Sequence, residues 1–180
     1  AHSHGKPLLL DADALTLLSQ SVALQQQAQA HGCLVLTPHP AEAARLLGAT
    51  TAEIQANRPA AARAISAAFN AVTVLKGHQS LIATPDGNLH TNHSGNPGLA
   101  TAGSGDVLSG IIGSLLAQNI PLIQAVEAGV WLHGAAADVL RDSQIGEIGM
   151  LAGELPPAAR WLRNRLCKQS NPYRPLLQAV

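Results

Sequence analysis

The residues best suited to chemistry in this 180-residue chain lie between His93 and Gly110. The run His93-Ser94-Gly95-Asn96-Pro97-Gly98-Leu99-Ala100-Thr101-Ala102-Gly103-Ser104-Gly105-Asp106-Val107-Leu108-Ser109-Gly110 sets Gly103, Ser104 and Gly105 directly before a helical pattern with an acid at its start. Small residues let backbone N–H groups approach a ligand, and a helix N-terminus is a ready anion site. Asp106 beside such an anion hole is a candidate general base. Two familiar phosphate loops are excluded. No lysine follows Gly103 as Walker A requires, and Leu108 stands where the third glycine of GxGxxG belongs. A plain capped turn accounts for an isolated Gly-Ser-Gly-Asp, but less well for a run that also holds Gly98, Gly110 and Gly113. The last two lie inside the helix, where glycine costs roughly 1 kcal/mol relative to alanine, and are expected to mark close helix packing.

Three further segments carry candidate groups. Thr37-Pro38-His39-Pro40-Ala41-Glu42 follows an apolar run. Its two prolines hold His39 in an extended turn, which favours a positioned side chain over a purely structural one. Glu42, taken alone, reads as a solvated acid in a first helical turn. Lys76-Gly77-His78-Gln79-Ser80 follows another apolar run. Lys76 there can neutralise phosphate, and Gly77 permits close backbone approach; the plainer reading is a turn. Asp11 and Asp13 are expected near the site without an assigned role. His133 is read as packing, and Gly134 with Ala135, Ala136 and Ala137 as a tight helix contact. His2 and His4 carry no interpretation.

These groups need elements to hold them. Strands are expected at Pro7 to Leu10, Cys33 to Leu36 and Ala71 to Leu75. A hairpin is expected from Leu81–Thr84 and Leu89–Asn92 around Pro85-Asp86-Gly87-Asn88. Helices are expected at Ser19 to His31, closed by Gly32, and at Pro40 to Leu47, closed by Gly48. Thr50 and Glu53 have capping-box spacing, and Pro59 restarts a helix through Phe69. After the glycine run come helices at Asp106 to Gln118, Ile123 to Leu140 and Leu155 to Cys167, with Asn171 to Pro175 frayed. Apolar strands alternating with helices indicate βαβ units and a mostly parallel sheet covered on both faces. Ligand loops then sit at the carboxyl ends of the strands.

Composition narrows the rest. Hydrophobic residues are 47 % and aromatics 2 %, so the core must be aliphatic and rich in alanine. A formal net charge of zero leaves no footprint for nucleic acid or an anionic membrane. Cys33 and Cys167 lack metal or disulfide spacing, which points to free thiols in a reducing compartment. No leader pattern or membrane span is read, and a cytoplasmic location is expected. Leu8-Leu9-Leu10 reads as a buried strand needing neighbours on both sides, so the chain is expected to begin inside a larger domain. The 180 residues are expected to form one domain.

The segment Asn96 to Gly110 resembles the signature of the NAD(P)H-hydrate dehydratases, which belong to the ribokinase-like superfamily. Thr37 to Glu42 is similar to that family's Thr-Pro-His-Pro-x-Glu motif, and Leu10 to Leu15 to its Asp-Ala-Asp-Ala-Leu. Lys76 to Ser80 resembles its Lys-Gly segment, with Ser80 where threonine is common. The resemblance implies a ribokinase-like three-layer α/β/α sandwich that lacks the family's first strands. It implies dehydration of hydrated NADH and NADPH, driven by ADP or ATP with Mg²⁺. Asp106 would be the catalytic residue and, with His39, would bind substrate. Lys76, Gly77, His78, Gln79, Ser80, Gly103, Ser104 and Gly105 would bind the nucleotide, and Glu42 would order Mg²⁺ through water. A homo-oligomer and an NAD(P)H-hydrate epimerase as functional partner are also implied. Related kinases have asparagine where His39 stands, so His39 weighs against a small-molecule kinase. A non-catalytic nucleotide-binding remnant is the other alternative.

Overall fold

The structure is a computed structural model that describes residues 5–169. Five strands form one sheet in the order β1 (Leu8–Leu10), β2 (Leu34–Leu36), β3 (Val72–Leu75), β4 (Leu81–Ala83) and β5 (Leu89–Thr91). β1, β2 and β3 run parallel, with Leu9 opposite Val35 and Val35 opposite Val72. β4 and β5 complete the sheet antiparallel, as a two-strand ribbon turned by Pro85 to Asn88. Side chains alternate across the pleat. Leu34 and Leu36 therefore face one core and Val35 the other.

The first face is covered by α1 (Asp13–Gln20), α2 (Val22–His31), α3 (Pro40–Leu47), α4 (Thr51–Ala56) and α5 (Arg58–Phe69). Leu15, Leu18, Ile54, Ile65 and Phe69 pack there against Leu36 and Leu75. On the second face α6 (Ser104–Leu116) and α7 (Leu122–Leu140) bring Leu108, Ile112, Val126 and Val130 onto Val35, Val74 and Ile82. α8 (Leu155–Gln169) packs outside α7 through Leu155, Ala158 and Ala159. Three layers result, helices over sheet over helices, as the alternating pattern predicts. No helix among the described residues is long and apolar enough to cross a membrane.

Several boundaries differ from the sequence expectation. The helix expected from Ser19 is two helices broken at Ser21, whose hydroxyl accepts from the Leu24 amide and caps the second. The helix after the glycine run starts at Ser104, two residues earlier than expected. β1 is an edge strand of the described sheet: it pairs with β2 alone, so Leu8 is 40 % exposed and Leu9 and Leu10 are half-buried, and the second neighbour expected of a buried strand is not among the described residues. The segment Asn171 to Pro175, expected to fray, lies outside the described residues.

Glycine packing also falls elsewhere. A Cβ at Gly110 or Gly113 would meet nothing within 4 Å. Gly110 instead borders a cleft of about 590 Å³ between α6, α7 and α8, floored by Val107, Ile111, Leu132 and Ala159. The close approach is made from α7. A Cβ at Gly129 would lie 2.6 Å from Ile112 Cγ1, and one at Gly134 would lie 2.6 Å from the Ser94 carbonyl oxygen. Gly134 is thus a tight contact, as expected, but with the loop before the glycine run.

Candidate active site

Parallel pairing puts the carboxyl ends of β1, β2 and β3 side by side, and the chain leaving each end carries a candidate group. Backbone hydrogen bonds bind the three exits together: the Thr37 amide donates to Leu10 O at 3.2 Å and the Lys76 amide to Pro38 O at 2.8 Å. Asp11, Glu42 and Lys76, far apart in sequence, meet there. Lys76 Nζ lies 2.7 Å from Asp11 Oδ1 and 3.8 Å from Glu42 Oε2. Burial alone would raise the Asp11 carboxyl. Hydrogen bonds from Lys76 and Ser109 and the ammonium charge outweigh it and hold Asp11 below the usual carboxylate range.

His39 and Glu42 cap α3 reciprocally. His39 Nδ1 accepts from the Ala41 amide at 3.1 Å and the Glu42 amide at 3.3 Å, while Glu42 Oε2 accepts from the His39 amide at 2.7 Å. An accepting Nδ1 carries no proton, so the neutral ring is protonated at Nε2, 3.3 Å from Glu42 Oε1. The ring stays 47 % exposed, whereas the Glu42 side chain is only 7 % exposed. Glu42 is therefore not the solvated acid of the simpler reading. The prolines do hold His39 in a fixed turn, and the cap fixes its ring.

The start of α6 closes the site. Gly103, at the helix entry, has φ 82°, which favours glycine, and no side chain caps the helix. Within the described residues the amides of Gly105 and Asp106 make no hydrogen bond to protein. A Cβ at Gly105 would lie 3.4 Å from Lys76 Nζ and 3.8 Å from Asp11 Oδ2. The lysine charge and the open helix start thus adjoin. Asp106, the next residue, is exposed in the first turn. Ser104 turns inward instead: its hydroxyl lies 3.3 Å from His133 Nε2, and both side chains are buried. Burial lowers the His133 pKa to about 4, so the imidazole is neutral at neutral pH. His133 is packing, as expected, and it also anchors the first residue of α6.

Other residues hold the loops, and sequence reading gave them no part in the site. Arg58 of α5 reaches the Lys76 loop. It donates to His78 O at 2.5 Å, Leu75 O at 3.3 Å and Gln79 O at 3.4 Å. It also fills the space where a Gly77 side chain would go. Gly77, His78 and Gln79 stay exposed, and the Ser80 hydroxyl donates to Gly77 O at 3.2 Å. Asp138 of α7 accepts from the Gly95 amide at 2.8 Å and from the Asn96 side chain at 3.1 Å. The glycine run is roofed by the segment between α7 and α8: a Cβ at Gly98 would lie 2.9 Å from Glu147 O, and one at Gly103 3.3 Å from Ala152 Cβ. The cleft beside Gly110 holds neither Lys76 nor the paired carboxylates. Among the described residues no three of His, Cys, Asp and Glu gather as a metal cluster.

The α/β/α sandwich is shared by a solved ribokinase-like superfamily protein of Enterococcus faecalis, with a TM-score of 0.73 at 29 % identity over 91 % of this chain and 54 % of that one. The family model for NAD(P)H-hydrate dehydratase matches residues 1–157, and the chain belongs to that family. It is 61 % identical over 163 residues to the ADP-dependent (S)-NAD(P)H-hydrate dehydratase of Neisseria meningitidis serogroup B, covering 91 % of this chain and 55 % of that protein. It is 48 % identical over 149 residues to the bifunctional NAD(P)H-hydrate repair enzyme Nnr of Moorella thermoacetica, covering 83 % of this chain and 28 % of that protein. The ADP/ATP-dependent NAD(P)H-hydrate dehydratase of Bacillus subtilis, co-crystallised with ATP and Mg²⁺, superposes with a TM-score of 0.70 at 38 % identity. That match covers 73 % of this chain and 47 % of that one. The chain thus spans about half the length of the N. meningitidis relative and a smaller share of the bifunctional one.

Proposed function

We propose that this chain supplies the nucleotide-binding and proton-transfer half of an ADP- or ATP-dependent NAD(P)H-hydrate dehydratase. One observation carries the reading: the start of α6, where the Gly105 and Asp106 amides make no hydrogen bond among the described residues, adjoins the Lys76 ammonium at Gly105. That is where a terminal phosphate of an adenine nucleotide would be held, and ADP is favoured by the N. meningitidis relative. Gly103 and Gly105 admit the phosphates, Ser104 holds the helix start, and Lys76 to Ser80 flank the nucleotide. His39, fixed by its own cap, and Asp106 face the hydrated nicotinamide.

The chemistry follows from charge. Hydroxide is a poor leaving group, so the hydroxyl must first be esterified. Asp106 takes the hydroxyl proton as the oxygen attacks the terminal phosphorus and displaces AMP from ADP or ADP from ATP, a contribution typically of about 10²–10⁴-fold. The amides at the start of α6 and the Lys76 charge balance the negative charge on the transferring group. Phosphate then departs with the C–O electron pair, the neighbouring ring carbon gives up a proton to water, and the ring regains its double bond as NADH or NADPH. Hard oxygen donors are present for Mg²⁺, but among the described residues no protein cage is. This fits an ion carried on the phosphates and ordered by Glu42 through water, where it would neutralise phosphate charge.

The same reading takes the 180 residues as one unit within a longer family domain, located in the cytoplasm. It takes an NAD(P)H-hydrate epimerase as functional partner, in keeping with the bifunctional relative. A homo-oligomer is part of it as well.

The test mixes the protein with hydrated NADH, Mg²⁺ and either ADP or ATP, and follows the return of NADH absorbance. Nucleotide-dependent recovery is the expected result and identifies the preferred nucleotide. If recovery is absent, the assay is repeated with the chain extended to the length of its relatives. Silence there refutes the reading.

A further inference from the structure

Asp11 joins three segments that the sequence keeps apart. It follows β1, and its Oδ1 accepts from Lys76, which follows β3, at 2.7 Å. Its Oδ2 accepts from the Ser109 hydroxyl, one turn into α6, at 2.8 Å. The Lys76 and Asp11 side chains are 19 % and 13 % exposed, so water and salt screen the pair little. Glu42 lies farther off, at 3.8 Å, and accepts from the His39 amide. Asp11 is therefore the group that decides where the lysine charge sits, and it sits against Gly105.

We propose that Asp11 is a positioning residue for the nucleotide site. With Ser109 it clamps the flexible Lys76 side chain so that the ammonium stands at the open start of α6 before a nucleoside di- or triphosphate arrives. The proposal rests on the nucleotide reading above. A lysine stem has many rotamers, and fixing them beforehand removes an ordering cost from binding. Charge alone argues the other way. A carboxylate beside an anion site repels phosphate, so its removal should tighten binding. The two accounts differ in sign, which makes the question decidable.

Calorimetric titration with ADP and Mg²⁺ compares the wild-type chain, Asp11→Asn, Ser109→Ala, Lys76→Ala and the Asp11→Asn/Lys76→Ala double variant. Asp11→Asn should weaken ADP binding about tenfold, as expected when a preorganised charge is released. Ser109→Ala should weaken it less, in the same direction. In the Lys76→Ala background, Asp11→Asn should change the affinity by no more than about twofold, because the pair acts as a unit. Tighter or unchanged binding by Asp11→Asn overturns the proposal. So does an equal loss in both backgrounds, the mark of a merely structural role. If Asp11→Asn does not fold, Ser109→Ala with and without Lys76→Ala makes the same comparison. Absence of ADP binding by the wild-type chain refutes the nucleotide reading and this proposal with it.

Discussion

Acid should loosen the start of α6 through one residue, His133. Its imidazole is buried against Ser104, and burial holds its pKa at about 4, against 6.5 for an ordinary histidine. The unfolded chain therefore binds a proton at this residue between pH 6.5 and 4 while the folded chain does not. Stability from this group is complete above pH 6.5 and is lost as pH falls through that window. At 1.36 kcal/mol per unit, the full loss is about 3 kcal/mol, reached near pH 4. That is a large fraction of the about 5–15 kcal/mol that holds a domain together. Urea unfolding at a series of pH values, for wild type and His133→Gln, isolates the effect. Glutamine keeps a polar partner for Ser104 but cannot titrate. The stability difference between the two proteins should shift by about 3 kcal/mol against wild type from pH 7 to 4. A difference that stays constant across the range refutes the assignment, whatever the common slope from other groups.

Three other substitutions test how the site is held. Gly129→Ala should destabilise the fold by about 1–3 kcal/mol, because the added Cβ would lie 3.3 Å from the Ile112 Cα as well as against its side chain. Gly110→Ala, in open space, should be neutral or mildly stabilising by the same unfolding measurement. Arg58→Met should free the Lys76 to Ser80 loop, which depends on it for contacts to the His78 and Gln79 carbonyls. Hydrogen exchange of the loop amides should accelerate while that of the β3 core does not.

Local features of this fold were readable from sequence, and non-local ones were not. Pro40–Leu47 matched residue for residue because its proline start, capping acid and terminal Gly48 all act within one helix. The Thr50–Glu53 cap was legible for the same reason. α1 went unread because Ala12, at φ 49°, starts it without a side-chain cap, and Ser21 resumes the helical pattern at once. The Asp11–Lys76 and Asp11–Ser109 contacts span 65 and 98 positions, and no spacing rule reaches that far. Gly110 and Gly113 drew attention because they interrupt a helix. Which glycine lies at the crossing depends on how α6 meets α7, and that geometry chose Gly129. Asp138 and Arg58 drew no reading from the sequence because their partners include loop backbone atoms, which leave no mark on residue type.

Asp106 is proposed to take a proton beside an anion hole made by backbone amides. Asp106→Asn tests it directly, with ADP affinity, unfolding and nucleotide-dependent recovery of NADH from its hydrate measured on the same protein. The account predicts an intact fold, ADP affinity within about threefold of wild type, and turnover reduced by about 10²–10⁴-fold. Turnover equal to wild type in that variant would contradict it.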